Sequence, residues 1–248
     1  MVARRLGKLL DGLGPTHPVA CCAGAAGAEV PERRERLVRL LEGRLPGCRV
    51  EVVHDARLVL AAAGLEEGIA LISGTGSVAY GRTAAGREGQ VGGWGWMLGD
   101  EGSAVWVVRE AAREVMRRSD AGAPLGAMGE ALLAACRARD AKELTARLHS
   151  FGEPMRWAAL AGAVFDAADH DAGAEAIVQR AAAGLCALAR GVRDTLGVGG
   201  PIVLAGGLLL HQPGLESSVR ALAGAPCVRL EEPPVAGAVR LAERLIPA

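Results

Sequence analysis

Short apolar runs alternate with stretches of helical periodicity along most of this chain, and no other feature restricts its fold as strongly. Such alternation is typical of α/β proteins. Apolar runs predict strands at residues 18–23, 48–53, 69–73, 77–81, 201–205 and 227–230. Helical patterns predict helices at residues 4–12, 31–45, 56–63, 103–118, 213–222 and 235–246, and three or four more across the Ala-rich residues 125–196. We therefore expect an α/β fold with an all-helical insertion.

The composition excludes several classes of protein. The 248 residues are 50% hydrophobic and 23% charged, which is typical of a globular chain and not of a disordered one. The 28 Lys and Arg residues balance the 28 Asp and Glu residues, so no basic surface for nucleic acid is expected. No apolar run approaches the roughly 20 residues that span a bilayer, and the first residues do not resemble a signal sequence. We expect a cytoplasmic protein without a nucleic-acid or membrane partner.

The cysteines predict neither a metal site nor a disulfide framework. None of the six forms a Cys-x-x-Cys pair or lies beside a His at ligand spacing. We expect all six to be small buried hydrophobic residues.

The densest motif is the segment 92–103, Gly-Gly-Trp-Gly-Trp-Met-Leu-Gly-Asp-Glu-Gly-Ser. Glycines on both sides of an indole allow a ligand to approach the backbone, and an indole face can stack on a sugar ring. The Asp100 carboxylate can accept hydrogen bonds from hydroxyl groups. This pattern favours Trp94, Gly95 and Asp100 as substrate-binding residues.

A structural interpretation of the same segment is a rigid glycine-rich turn that precedes a helix. Acidic and hydroxyl side chains commonly occupy helix N-termini, where they accept hydrogen bonds from free N–H groups. We expect Glu101 and Ser103 to act as caps and Trp106 to belong to the core.

A second motif, Ser-Gly-Thr-Gly-Ser at residues 73–77, separates two strand-like runs and predicts a hairpin turn. Two glycines beside a hydroxyl residue expose successive backbone N–H groups, which together with the Thr and Ser hydroxyls can bind a phosphate group. Most Gly-x-Gly turns bind nothing. The position of this turn between Asp55 and the tryptophan-rich segment favours a phosphate-binding function.

Two further sites lie where predicted strands end. Asp55 follows the strand at residues 48–53, at the carboxyl end where open α/β sheets bind ligands. A carboxylate there can take the proton of a hydroxyl that attacks phosphorus, or it can simply cap the helix at residues 56–63. Gly206 and Gly207 close another strand, where backbone can lie against adenine or ribose.

In this order the motifs resemble the N-acetylglucosamine kinases of the BadF/BadG-type branch, within the actin-like ATPase and sugar kinase superfamily. The resemblance is strongest at residues 92–104 and extends from about residue 17 to the end of the chain. It implies a kinase that uses ATP and Mg²⁺ to phosphorylate a hydroxyl of an amino sugar, N-acetylglucosamine or glucosamine. Relatives are commonly homodimers, and a homodimer is compatible with this sequence.

The resemblance also implies a role for each motif. Asp55 corresponds to the catalytic base. The phosphate and adenosine motifs correspond to Gly74, Thr75, Gly76, Ser77, Gly206 and Gly207. The positions that hold the amino sugar correspond to Thr75, Gly76, Trp94, Gly95 and Asp100. No side chain is implied as a metal ligand.

The fold implied by the resemblance is a two-lobed actin-like ATPase fold of the ribonuclease H-like type. Residues 1–64 would form an incomplete N-terminal lobe, on which the final helix at residues 235–248 packs back, and residues 65–234 would form the C-terminal lobe. The first phosphate loop of the superfamily, Asp-Gly-Gly-x-Thr followed by Lys or Ser, has no counterpart, because residues 11–16 follow a helical pattern and lie too close to Asp55. We therefore expect that the chain starts after the first β-hairpin and turns over ATP poorly.

Two other functions are compatible with the same fold. A sugar-binding or regulatory remnant would have kept the tryptophan-rich pocket and lost phosphoryl transfer, but the presence of Asp55 and of residues 74–77 argues against it. The activator ATPases of radical dehydratases hold an iron–sulfur cluster through a Cys shortly before the Gly-Thr-Gly turn. This chain has Ser73 there and no cysteine nearby, which disfavours that alternative.

Overall fold

A computed structural model of the protein describes residue 12 and residues 17–247. Nearly all of the helix expected at residues 4–12, and most of the segment 11–16, lie outside this part of the chain. The strands within it are β1 (Ala20–Gly24), β2 (Arg49–Val53), β3 (Gly68–Ser73), β4 (Ser77–Arg82), β5 (Glu88–Gly92), β6 (Ile202–Ala205) and β7 (Cys227–Arg229). The helices are α1 (Pro31–Arg44), α2 (Asp55–Ala62), α3 (Ala104–Asp120), α4 (Gly126–Cys136), α5 (Ala141–Ser150), α6 (Pro154–Ala158), α7 (Gly162–Phe165), α8 (Ala172–Leu196), α9 (Gly207–His211), α10 (Pro213–Leu222) and α11 (Pro234–Glu243).

The strands form two separate sheets. β1 and β2 pair in parallel, and the remaining strands form a five-stranded sheet in the order β5-β4-β3-β6-β7. β3 runs antiparallel to β4, with Ser73 opposite Ser77, and parallel to β6. This mixed sheet with its helices confirms the predicted α/β class.

The sequence patterns predict no strand at residues 88–92, but the structure forms β5 there, antiparallel to β4. Glycines weaken a strand unless a neighbour needs the space. Here Gly89 and Gly92 face α8, where an added Cβ would lie 3.3 Å from Leu196 and 3.0 Å from Leu188. The glycines therefore allow the longest helix to pack closely on this edge strand.

Helices cover both faces of the five-stranded sheet. Successive residues of a strand point to opposite faces, and on β3 Ile69 and Leu71 belong to a large core shared with α3 and α8. Ala70 lies on the other face, in a smaller core that contains Ala56 and Val59 of α2.

Helix α2 also contacts the smaller sheet. Its Leu58 and Ala61 pack with Val53 of β2 and Leu241 of α11. The close approach of α11 depends on Gly237, because a Cβ there would clash with the carbonyl oxygen of Leu58. The division into lobes at residue 64 stays a prediction, since α2 contributes to cores on both sides of it.

The chain between α3 and β6 is helical, as expected, with five helices in place of three or four. The additional helices are short: α6 has five residues and α7 has four. Among the described residues, no helix combines the length and the apolar character needed to cross a membrane. The prediction that all six cysteines are buried holds only for Cys136 and Cys186, because the side chains of the other four are only partly covered.

Candidate active site

The predicted hairpin turn joins β3 to β4 and is fixed to the tryptophan-rich loop. The hydroxyl of Ser73 donates a hydrogen bond to the carbonyl of Gly102 at 2.9 Å, and that of Ser77 donates to the carbonyl of Glu101 at 2.7 Å. Both serine side chains are buried. The Ser77 hydroxyl is thus engaged within the protein, and the turn offers a ligand its backbone and Thr75.

Thr75 lies at the tip of this turn. Its hydroxyl is 3.0 Å from the sulfur of Met155, a residue whose side chain is largely exposed. A thioether is a weak acceptor. A ligand with a stronger acceptor can therefore take over the Thr75 hydroxyl.

Asp100 is the buried centre of the tryptophan-rich loop. It is 7% exposed, and its φ of 59° lies in the left-handed region, which few residues other than glycine adopt. A Cβ on Gly76 would lie 2.6 Å from Asp100 Oδ2, so only glycine fits against this carboxylate. The N–H groups of Gly95 and Ser77 also donate hydrogen bonds to it. Asp100 therefore brings three of the predicted site residues together.

Burial raises the pKa of the Asp100 carboxyl above its ordinary value, because desolvation disfavours the charged form. The hydrogen bonds from Gly95 and Ser77 lower this pKa, and the charge of Arg109 lowers it further. Arg109 also donates a hydrogen bond to the carbonyl of Trp96 at 2.8 Å. No sequence pattern distinguishes Arg109, since arginine is common throughout the chain.

The tryptophans of this region have different surroundings. Trp94 is 79% exposed, and it lies on the same loop as the buried Asp100. Trp96 packs against Trp157, with ring centroids 6.2 Å apart. Trp106 is only partly buried against the large core, and Arg180 lies over its ring at 5.6 Å. An exposed indole on the same loop as a buried acceptor suits a ligand with one apolar face and several hydroxyl groups.

Of the two expected caps of α3, the structure confirms one. The Ser103 hydroxyl accepts a hydrogen bond from the N–H of Trp106 at 3.2 Å. The prediction for Glu101 is wrong: the residue is exposed and contributes its backbone carbonyl, which accepts from Ser77. The N–H of Ser103 donates a hydrogen bond to the carbonyl of Asp100, which closes a turn just before the helix.

Asp55 is the first residue of α2, with a side chain that is 52% exposed. The N-cap of this helix is His54, whose Nδ1 accepts a hydrogen bond from the N–H of Ala56 at 3.1 Å. Asp55 Oδ1 accepts from the same N–H at 2.9 Å. Gly24 at the end of β1 packs against this point, where an added Cβ would lie 3.1 Å from the Asp55 Cα.

Asp55 lines a cleft of about 690 Å³ together with Gly206 and Gly207. Gly206 has a φ of 92°, and a Cβ there would clash with the carbonyl oxygen of Ser73. A Cβ on Gly74 would lie 3.7 Å from the N atom of Gly207, so the hairpin turn adjoins this strand end. The remaining lining residues are Leu58, Val59, Ile72, Ala205, Leu210, His211, Leu230, Glu231, Glu232, Pro233 and Pro234.

The predicted residues thus form two groups. Gly76, Ser77 and Gly95 converge on Asp100, whereas Asp55 shares its cleft with Gly206 and Gly207. The turn at residues 74–76 lies next to both groups, through Gly76 on one side and Gly74 on the other. The described residues contain no group of three or more His, Cys, Asp or Glu that could hold a metal ion.

Two curated relatives are similar to part of this chain. A protein named N-acetylmuramic acid/N-acetylglucosamine kinase, from Clostridium acetobutylicum, is 37% identical over 122 residues, which are 48% of this chain and 39% of that protein. A protein named N-acetyl-D-glucosamine kinase, from Dictyostelium discoideum, is 29% identical over 116 residues, or 45% and 36% of the two chains. The matches therefore span well under half the length of these relatives.

Solved structures resemble a larger part of the chain. A candidate N-acetylglucosamine kinase from Chromobacterium violaceum superposes with a TM-score of 0.71 at 27% identity, and the match covers 92% of this chain and 78% of the other. A second one, from Porphyromonas gingivalis, gives a TM-score of 0.71 at 23% identity over 99% and 83% of the two chains. These similarities confirm the expected fold, that of an actin-like sugar kinase.

A sequence model of one family matches nearly the whole of the described chain. It covers residues 16–239, which include both groups of predicted site residues. The chain belongs to the BadF/BadG/BcrA/BcrD ATPase family.

Proposed function

We propose that this protein is a kinase that transfers the γ-phosphoryl group of ATP to a hydroxyl of an amino sugar, N-acetylglucosamine or glucosamine. The observation that carries the proposal is the position of the hairpin turn at residues 74–76. It adjoins the Asp100 carboxylate through Gly76 and the Asp55 cleft through Gly207. A turn so placed can hold a phosphate group between a sugar and a nucleotide.

In the proposed reaction the sugar hydroxyl oxygen forms a bond to the γ-phosphorus, and the bond from that phosphorus to the β–γ bridging oxygen breaks. The hydroxyl proton passes to the Asp55 carboxylate, and ADP leaves with the bridging oxygen. The half-exposed Asp55 side chain can approach a substrate in the cleft that it lines. Protein groups mainly position the reactants and stabilise charge in such transfers.

The sugar would be held by Asp100, Trp94 and the backbone of Gly76 and Gly95. The buried Asp100 carboxylate would accept hydrogen bonds from sugar hydroxyls, and the exposed face of Trp94 would stack on the ring. Thr75 would direct its hydroxyl to the sugar or to the transferred phosphate.

The nucleotide would occupy the apolar cleft, with its base against Gly206 and Gly207. The described residues contain no group of three or more ligands that could hold Mg²⁺ without the nucleotide. Mg²⁺ in kinases is held by the substrate phosphates, by water and by one or two carboxylates, and we assign no particular carboxylate to it. A reaction that consumes ATP would take place in the cytoplasm. A homodimer stays a prediction.

The test is an assay of sugar phosphate formation from ATP with N-acetylglucosamine, glucosamine and glucose, combined with calorimetry of sugar binding. The 248-residue chain is measured as given. We expect an amino sugar to be bound and phosphorylated. Binding without phosphorylation would favour the sugar-binding alternative, and no binding would overturn both.

Asp55→Asn tests the proposed base. We expect kcat to fall about 10²- to 10⁴-fold, the usual contribution of a general base, while the sugar is bound as before. Glu231→Gln is the matched control, because Glu231 lines the same cleft and is not assigned to the reaction. An Asp55→Asn variant that kept more than about a tenth of the wild-type kcat would contradict the assignment.

A further inference from the structure

His54 connects the start of α2 to the five-stranded sheet. Its side chain is only 10% exposed, and its ring stacks on Tyr80 of β4, with centroids 5.1 Å apart and planes inclined by 9°. Tyr80 is itself 2% exposed. The ring of His54 is therefore held in place by a buried residue of the five-stranded sheet.

One backbone N–H is shared between two acceptors at this point. The Ala56 N atom lies 3.1 Å from His54 Nδ1 and 2.9 Å from Asp55 Oδ1, and these two acceptors are 3.1 Å apart. Nδ1 of a neutral imidazole accepts a hydrogen bond when the proton is on Nε2. The Nε2 atom of His54 lies 3.8 Å from the carboxylate of Glu29, which is too far for a hydrogen bond. The acceptor role of Nδ1 therefore rests on its contact with the Ala56 N–H.

The sharing matters because a carboxylate in the first turn of a helix is drawn to the free N–H groups and the positive end of the helix dipole. Without a second acceptor, Asp55 would satisfy the Ala56 N–H alone and would be held as a cap. Its carboxylate would then be less able to turn towards a substrate hydroxyl.

We propose that His54 is a positioning residue for phosphoryl transfer: its Nδ1 atom takes part of the capping of α2, which frees the Asp55 carboxylate to face the sugar hydroxyl. The inference rests on the proposed function, in which Asp55 is the base. It adds a second residue to that role, one that acts only through Asp55.

Two variants of His54 distinguish the hydrogen bond that its Nδ1 atom accepts from the packing of its ring on Tyr80. His54→Phe keeps an aromatic ring against Tyr80 and removes the acceptor, whereas His54→Asn keeps an acceptor at about the place of Nδ1 and removes the ring. We expect His54→Phe to lower kcat about tenfold, the scale of a lost N-cap, with an unchanged dissociation constant for the sugar. His54→Asn should stay within about twofold of wild type. If His54→Phe retains wild-type kcat, or if both variants lose activity equally, the proposal is wrong.

A measurement without substrates makes the test independent of the proposed function. Scalar coupling between nitrogen atoms across a hydrogen bond should appear between the Ala56 amide and His54 Nδ1 in the ¹⁵N-labelled wild-type protein. In His54→Phe the coupling from the Ala56 amide to the Asp55 side-chain carboxyl carbon should increase. Absence of the first coupling would overturn the inference. A wild-type protein that shows the coupling but phosphorylates no amino sugar would overturn the proposed function alone.

Discussion

The two sheets differ in how firmly they are buried. In the five-stranded sheet, all four residues of β6 and five of the six residues of β3 are buried. In the two-stranded sheet, no residue of β1 is buried and only the last two residues of β2 are. The proposed sugar-binding carboxylate, Asp100, belongs to the first region, whereas the proposed base, Asp55, follows the second.

This difference implies two ways of fixing a functional carboxylate. Asp100 is itself buried and is held directly by the N–H groups of Gly95 and Ser77. Asp55 is half exposed and takes its position from the helix that it begins. Substitutions in the two regions should therefore affect different steps, with sugar binding lost in the first and the rate of transfer lost in the second.

Among the substitutions that affect sugar binding or stability, the largest effect is expected from Asp100→Ala. Loss of a buried acceptor leaves sugar hydroxyl groups without partners, at a cost of about 1–3 kcal/mol, so the sugar should bind roughly 5- to 150-fold more weakly. Titration calorimetry with the sugar alone measures this. An unchanged affinity would show that Asp100 does not contact the sugar.

Asp100→Asn tests the role of the carboxylate charge separately, because Asn tolerates a left-handed backbone and carries no charge. The folded-state pKa of Asp100 is raised, so its ionised form costs stability above that pKa, and the cost disappears as the pH falls through it. The Asn variant should bind sugar weakly but unfold at higher urea concentration than wild type at neutral pH. The two midpoints should converge in acid, and a less stable Asn variant at neutral pH would contradict this account.

A smaller effect is expected from Gly237→Ala, which tests the less buried region. The added Cβ meets the Leu58 carbonyl and should push α11 away from α2, at a cost of about 1–3 kcal/mol in the free energy of unfolding. Because α2 carries Asp55, kcat should fall while sugar affinity stays the same. Gly214→Ala is the matched control, since nothing lies within 4 Å of its added Cβ. Equal effects of the two substitutions would argue against tight packing at Gly237.

The smallest effect is expected from Glu101→Ala. The side chain is exposed and does not cap α3, and the carbonyl that accepts from Ser77 is kept. The free energy of unfolding should change by less than about 0.5 kcal/mol, as for most surface substitutions. Urea titration measures this, and Ser103→Ala provides the contrast, with an expected loss of about 1 kcal/mol for the lost cap.

Much of the fold could be predicted because it depends on local patterns. The hairpin at residues 74–76 follows from its two glycines, and the cap at Ser103 follows from its place before a helical pattern. β5 could not be predicted in this way, since its glycines make room for Leu188 and Leu196 of a helix about 100 residues later in the chain.

The sequence predicted which residues belong to the candidate site, but it did not predict their burial or their hydrogen bonds. Asp100 was identified from its glycine-rich surroundings. The buried side chain lies against Gly76, 24 residues earlier, and a helix or strand pattern in the sequence cannot predict such a distant contact. The sequence left open whether Asp55 caps α2, and the geometry divides that hydrogen bond between Asp55 and His54. Such sharing depends on atomic positions that the order of residues alone does not determine.

The position of α2 between the two sheets has a consequence for folding cooperativity. This single helix supplies Ala56 and Val59 to the core under the larger sheet and Leu58 and Ala61 to the core beside the smaller one. Loss of either sheet would expose apolar side chains of the helix that also packs on the other sheet. We therefore expect the two-stranded sheet to unfold together with the five-stranded sheet, because α2 packs against both.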